Sequence, residues 1–516
     1  MIPPLRRRPL LSRDLTLQPG RDRQLVTAAV TLGMFLAAVE ATAVAAAVPT
    51  AVGEMGGVAR YSWVFSAYLL ASTTTVPLYG KLADLYGRRW TYHIAVALFL
   101  LGSALSGLAQ SLNQLIIFRF LQGLGAGGVA PVAITVTGDI YSLEERGKMQ
   151  GLFSGVWAFA SLVGPLLGGW ITDTISWRWI FYLNIPFGIV SSVLVQRYLK
   201  GEPQRSDHKL DILGTVSLTA AVTLLLVGLI EGPGEWGWSN PWTIGVLIAS
   251  VVSLVVFFWQ ENRAPEPMLP LTLFKSRLIA VSSVGNTLLG GVLFCLTAYV
   301  PMYAQGVLGG TAVDAGTVLT PVLIAWPIAS TLVGRIMMRI GYRPFAIAGG
   351  FTILAGAVLL AMVDASTSHY WIMAAMTILG FGLGFTSMPY LLSVQNAVPW
   401  SLRGVATSSV QFFRSIGGAV MVAAVGALFS VRLAAAGGGI NPNTALDPAL
   451  RAKASPETLA KLSSAILYGL QGVFHVLAVI GLVTIFVALF FPKGGVEAHI
   501  HPERDSTAPT GAGAVH

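Results

Sequence analysis

Glu40 is the one carboxylate set deep within an apolar stretch of this chain, LVTAAVTLGMFLAAVEATAVAAAVPTAV. An uncompensated charge in hydrocarbon costs several kcal/mol, so such a side chain needs an internal partner or a proton. Transport across a membrane is therefore the simplest inference from this position. Two arginines share its setting: Arg119 in LIIFRFLQGLGAGGVAP and Arg414 in SVQFFRSIGGA. Arg119 falls about one helical turn from the outer end of its span and Glu40 two to three turns from the outer end of its own, a depth difference of roughly 5 Å that long side chains can close. A carboxylate and guanidinium facing one cavity is one reading. Arg119 reaching outward to headgroups is the other. Arg414 falls near mid-membrane, where such reaching is difficult. It reads as an anion contact or a modulator of a carboxylate's proton affinity, or else as a tether between helices.

The elements that position these residues follow from composition. Hydrophobic residues make up 54% and charged residues 11% of 516, with a mean hydropathy of +0.71, against about 25% charged in soluble domains. This predicts an all-α polytopic membrane protein. Apolar runs long enough to cross about 30 Å of hydrocarbon recur about fourteen times. They begin near Leu25, Trp63, Trp90, Leu115, Gly151, Ile180, Ile212, Trp242, Leu278, Val313, Phe345, Trp371, Val405 and Ala465. An even number of crossings leaves both termini on one side, and most of the 32 Lys and Arg residues fall in the loops and tails of that side. Both termini are therefore expected to be cytoplasmic, in the cell's inner membrane. The net charge of +9 is a topology signal and no nucleic-acid partner is expected.

The expected organisation is a polar cytoplasmic tail over 1–24, a six-helix half over 25–200, and a linker with two additional spans over 201–277. A second six-helix half follows over 278–491, then a cytoplasmic tail over 492–516. The tail 1–24 leads into a span too long for the apolar core of a cleavable signal. Met268, Leu269, Leu271, Leu273 and Phe274 interleave with Lys275 and Arg277, which suits an interfacial segment. An outer segment over 431–464 is expected to form a short helix or hairpin, or to be a plain connector. The single cysteine, Cys295, excludes an intrachain disulfide or a cysteine metal site and reads as packing. No metal, cofactor or catalytic residue is expected.

Three strings carry more than packing information. GKLADLYGRR places Gly80, Asp84, Gly87, Arg88 and Arg89 at the inner end of the second span, where glycines allow a tight turn and the charges can pair. A weaker echo, Gly334 and Arg335 followed by Gly341, Tyr342 and Arg343, suggests an internal repeat. The fifth span carries Gly155, then Gly164, Pro165, Gly168 and Gly169, a face on which another helix can approach closely and a proline that bends the helix. LGFGLGF (379–385) has no strand before it and reads as packing rather than a nucleotide loop.

Together these strings resemble the major facilitator superfamily, and within it the fourteen-helix drug:proton antiporters. GKLADLYGRR is similar to the superfamily's loop motif, IIFRFLQGLGAG to its fourth-helix motif, and Gly155 to Gly169 to the antiporter motif. SWRWIFYLNIPFG (176–188) and SVQFFRSIGGA (409–419) are similar to signatures of the fourteen-helix group. The resemblance implies two six-helix halves plus two further helices, an inner gate in which Asp139 pairs with Arg88, and Glu40 as the protonation site. The family pattern usually places Asp where this chain has Glu40. Candidate cavity residues are Tyr68, Trp157, Phe159, Tyr299, Tyr303, Trp326, Met388, Gln395 and Phe412.

The expected function is proton-coupled export of amphipathic, cationic compounds by a protein that works as a monomer among membrane lipids. Burial favours the neutral acid at Glu40, while Arg119 or an arriving cation favours the charged form, so substrate can expel a proton. A lipid or glycolipid exporter of the same fold is the alternative. A proton-driven importer runs against the antiporter resemblance. A membrane-embedded transferase would need clustered catalytic groups, whereas His93, His208, His369 and His475 are scattered.

Overall fold

The structure, a computed structural model, describes residues 20–492 except 142, 200–210, 266, 270, 399–402 and 437–440. The expected tails therefore fall almost wholly outside the described residues, as does most of the 202–211 stretch. The described chain is helical, with no β-strand.

Fifteen helices follow in order: α1 (Arg21–Met55), α2 (Tyr61–Tyr86), α3 (Arg88–Leu108), α4 (Leu112–Ile140), α5 (Leu143–Thr174), α6 (Arg178–Tyr198), α7 (Ile212–Glu231), α8 (Pro241–Glu261), α9 (Arg277–Gly306), α10 (Ala312–Ile340), α11 (Tyr342–Ala361), α12 (His369–Asn396), α13 (Arg403–Ala436), the short α14 (Pro448–Lys453) and α15 (Pro456–Leu489). Thirteen are long and apolar enough to cross a membrane. The fourteenth long helix, α2, misses that standard because Ser and Thr cluster in it. Three of the hydroxyls turn back onto its own carbonyls, Ser72 on Leu69 (3.1 Å), Thr74 on Leu70 (3.0 Å) and Thr75 on Ala71 (2.7 Å), which lowers the cost of placing them in hydrocarbon.

The packing repeats. In α1–α6 the close pairs are α1 with α5 and α6, α2 with α4, and α3 with α4 and α6. In the later helices the equivalent pairs are α9 with α13 and α15, α10 with α12, and α11 with α12 and α15. The two bundles meet along α5 against α10, α2 against α13, and α1 against α9. The repeat extends to one turn: Gly87 between α2 and α3 has φ +87° and Gly341 between α10 and α11 has φ +96°, a backbone region that glycine alone enters without strain. The α7–α8 hairpin lies against α2 and α13, with Glu231 tied to Arg60 Nη2 (2.9 Å) and Trp63 Nε1 (3.1 Å). The segment after α8 begins where Glu261 accepts the backbone N–H groups of Met268 and Leu269 (3.2 and 3.1 Å). Its side chains Met268, Leu269 and Phe274 pack with Phe412 and Phe413 of α13.

The inner face is the one at which α1 begins and α15 ends, and the outer face is its opposite. The described part of the outer segment is structured. A 3₁₀ turn (Pro442–Ala445) and α14 rest on the outer ends of α1 and α9. Asn443 Oδ1 accepts from the N–H groups of Gly57 and Val58 (3.0 and 3.2 Å), and Arg451 donates to the carbonyl of Gln305 (2.7 Å). The segment is thus a clasp between the two bundles rather than a plain connector.

Candidate functional site

Close helix contacts bring the polar groups of the first bundle together. A Cβ at Gly102 would stand 2.3 Å from Gln122 N, so this glycine lets α3 meet α4 backbone to backbone and brings Ser103 beside Gln122. Asn184 enters from α6 and Glu40 from α1. Arg119 Nη1 donates to Glu40 Oε1. Asn184 Nδ2 donates to the second carboxylate oxygen of Glu40 (2.6 Å) and to Ser103 Oγ (2.9 Å). Arg119 also donates to Gln122 Oε1 (2.7 Å), Gln122 Nε2 donates to Ser103 Oγ (3.2 Å), and Ser103 donates to the Phe181 carbonyl (2.8 Å). Glu40 is 1% and Arg119 2% exposed. The guanidinium therefore points inward to the carboxylate and not outward to headgroups. Its open face is covered by the Tyr68 ring, 4.2 Å away, a desolvated cation–π contact.

Tyr68 links this network to the second bundle. It packs with Leu69, Ala419 and Phe294, and two residues before it Ser66 Oγ donates to the Ala419 carbonyl (3.2 Å). A change in the Glu40–Arg119 pair thus meets the interface through one aromatic ring.

Arg414 lies apart, in the second bundle. Its guanidinium is half-buried, stands 5.5 Å from the Trp326 ring and donates to Gln411. Trp326 is held from below by Ser387, which accepts its Nε1–H (3.0 Å). Gln395 sits at the inner end of α12, donating to Thr407 (3.0 Å), and Met388 is partly buried near Gly334. Phe412 packs against Phe413 and the α7 side of the bundle.

The cavity expectation for two tyrosines is corrected by side-chain direction. Tyr299 and Tyr303 are 0% and 1% exposed; Tyr299 donates to the Val422 carbonyl (3.2 Å) and Tyr303 to that of Asp364 (2.6 Å). They belong to the outer seal and line no open wall. Phe159, 56% exposed, faces Phe35 across a groove between α1 and α5 that Thr31 and Gly155 also line. Trp157, 41% exposed, lies two residues away on the same helix and so points to a different side.

The inner turn and the glycine face have distinct geometry. Arg88 Nε donates to Asp139 Oδ2 (3.0 Å) and its Nη1 to the Ala83 carbonyl (2.7 Å), which ties α3 to α4 and α2. Gly80 faces open space. The side chain of Asp84 lies outside the described residues. On α5, Gly164 and Gly168 meet Thr42 and Ala43 of α1, while Gly169 meets α10: a Cβ there would stand 2.5 Å from the Ala312 carbonyl oxygen. Pro165 faces Gly316 of α10 in the same seam. A Cβ at Gly155 would meet nothing within 4 Å. Gly169→Val is therefore expected to destabilise the protein by about 3 kcal/mol, and Gly155→Ala to be neutral. The sole thiol, Cys295, is buried, so thiol-dye labelling on heating reports both outcomes.

The outer side of the interface is closed by hydrogen bonds. Thr50 donates to Gln305 Oε1 (2.9 Å), Gln305 Nε2 to the Ala46 carbonyl (2.8 Å), and Tyr61 to the Ala298 carbonyl (2.5 Å). Asp173 at the end of α5 accepts the N–H groups of Ala312 and Val313 that open α10 (3.0 and 2.8 Å).

Two equivalent bundles, a buried ion pair in one of them and a seal confined to identifiable contacts define a polytopic transporter fold of the kind built from repeats. The chain belongs to the Major Facilitator Superfamily, whose family model matches residues 30–422. It is 37% identical over 410 residues to the multidrug transporter protein MdtP of Bacillus subtilis, covering 80% of this chain and 76% of that one. It is 35% identical over 404 residues to multidrug resistance protein 3 of the same organism, covering 78% and 79%. Among solved structures, an inward-facing bacterial homologue of the lysosomal transporter Spinster matches with a TM-score of 0.67 at 15% identity, over 92% of this chain and 98% of that chain. A D-xylose–proton symporter matches at 0.59 and 15%, over 92% and 98%. These two share the fold.

Sequence reasoning identified Glu40, Arg119, Arg88 and Asp139 but not Asn184, Ser103 or Gln122. An Asn and a Gln inside apolar spans were the available signal.

Proposed function

We propose that this protein is a proton-coupled antiporter that exports amphipathic small molecules across the cytoplasmic membrane, with both termini cytoplasmic. The observation that carries this reading is the Glu40–Arg119–Asn184 cluster: a carboxylate in the membrane interior, reached by a cation and by neutral donors, and joined to the other bundle through Tyr68. Loading Glu40 with a proton cancels its attraction for Arg119. The freed guanidinium keeps Gln122 and the face of Tyr68, so the ring and the interface behind it feel the change. Proton and substrate then favour opposite openings, which is the requirement for exchange. The names of the two Bacillus relatives support drugs or similar compounds as cargo.

Everted membrane vesicles test the reading. Energised vesicles are expected to accumulate dye and to release it when the pH gradient is collapsed; accumulation indifferent to the gradient would exclude proton coupling.

In this scheme the outer clasp releases whenever the outer side opens. Asn443→Ala removes the acceptor of the two hydrogen bonds that tie this segment to the first bundle, at Gly57 and Val58, about 0.5–1.5 kcal/mol each. The expected result is a tenfold or larger shift toward outward-open molecules, read as lengthened spin-label distances between the outer ends of α1 and α9. Unchanged distances would make the segment a passive cover.

A further inference from the structure

Arg414 is the second cation in the interior of the membrane, and its situation is the reverse of Arg119's. Arg119 is sealed against a carboxylate. Arg414 reaches from α13 toward Trp326 on α10, and both helices pack against α9 and α12, so the side chain spans two helices of the second bundle. Gln411 is the acceptor it reaches, and Gln411 is itself exposed. Among the described residues no carboxylate lies within ion-pair distance of Arg414. A guanidinium carries five N–H donors in a rigid fork, and one acceptor from an amide leaves that fork unfilled. A cation at this depth needs a counter-charge or water beside it.

The same census disposes of a cation receptor. Glu40 is the carboxylate of the membrane interior, and both of its oxygens are occupied, by Arg119 and Asn184. Beside Arg414 stands the indole of Trp326, which is bonded in turn to Ser387, itself 3.2 Å from Ser330. This is a site with one uncompensated positive charge, an aromatic plate beside it and small polar groups behind.

We propose that Arg414 and Trp326 form the head-group site for an anionic amphiphile, whose carboxylate, sulfonate or similar group fills the Arg414 fork while its apolar body lies along Trp326. The inference rests on the transporter reading above and names its substrate class, replacing the cationic one expected from sequence. With an anion as cargo, the proton is not displaced from Glu40 by direct charge competition. Coupling runs through the interface that Tyr68, Phe294 and Ala419 share.

The test is a binding measurement on purified full-length protein in phosphatidylcholine nanodiscs, with empty nanodiscs subtracted. Two permanently charged probes are titrated: a pyrene with a butanesulfonate tail and the same pyrene with a butyltrimethylammonium tail. The wild type is expected to bind the sulfonate at least tenfold more tightly than the ammonium probe. Arg414→Gln is expected to abolish that preference. Arg414→Lys, which keeps the charge without the fork, retains a reduced preference and covers the case in which the glutamine variant does not fold. A wild type that prefers the ammonium probe, or Arg414→Gln and Arg414→Lys variants that bind the sulfonate as wild type does, would overturn the proposal. No gradient is present in this assay, so failure of proton coupling leaves its outcome unaffected and the two readings fail separately.

Discussion

Glu40→Gln is expected to abolish gradient-driven efflux in proteoliposomes, a loss of at least a hundredfold in initial rate, while the protein remains folded. Glutamine is the neutral acid made permanent. Its carbonyl still accepts from Arg119, and Asn184 keeps Ser103 as an acceptor. A transport cycle that protonates Glu40 must already tolerate a neutral group there, so the substitution adds no state the fold does not visit. What is lost is the ability to return the proton. Counterflow of substrate against substrate, which needs no net proton movement, is expected to survive. Efflux undiminished by the substitution would remove Glu40 from the mechanism.

Arg119→Met has the second largest expected effect, and it falls on stability. It strips a buried carboxylate of its cation and leaves Gln122 Oε1 without its donor; breaking a buried pair by removing one partner costs about 3–5 kcal/mol. The expected result is a steep fall in folded yield and in the temperature of Cys295 labelling. Glu40→Gln added to Arg119→Met is expected to recover most of that loss, because the uncompensated charge goes with it. Transport is not recovered. Strictly additive losses in the double variant would mean the two side chains do not act as a pair.

How much of this was legible beforehand divides along physical lines. Depth in a helix scales with residue count at 1.5 Å per residue, so the levels of Glu40 and Arg119 could be matched from their distances to the span ends. Direction could not be read. Helices such as α1 and α4 are apolar on every side, so no polar face marks what they turn toward. That is why Tyr299 and Tyr303, expected in a cavity, lie in the outer seal, and why Trp157 and Phe159 diverge. The Arg88–Asp139 contact was legible through the resemblance, since the loop motif fixes both positions. Asn184 escaped because a lone neutral amide in a span is usually packing, and its role depends on α6 standing beside α1. Asn443 and Arg451 escaped because the outer segment has no hydrophobic period, and what it touches is decided by the outer ends of α1 and α9. The glycine seam of α5 was legible as a close approach; that Gly169 meets the other bundle was not.

The central claim is exchange of substrate for protons through Glu40. Proteoliposomes containing a pH-sensitive dye, loaded with whichever permanently charged pyrene probe the protein binds and diluted into probe-free buffer without a pH gradient, test it most directly. As the probe leaves, the interior is expected to acidify in vesicles carrying the wild type and to stay level in those carrying Glu40→Gln. Acidification that persists in Glu40→Gln, a wild type that moves probe with no change of internal pH, or alkalinisation of the interior would contradict it.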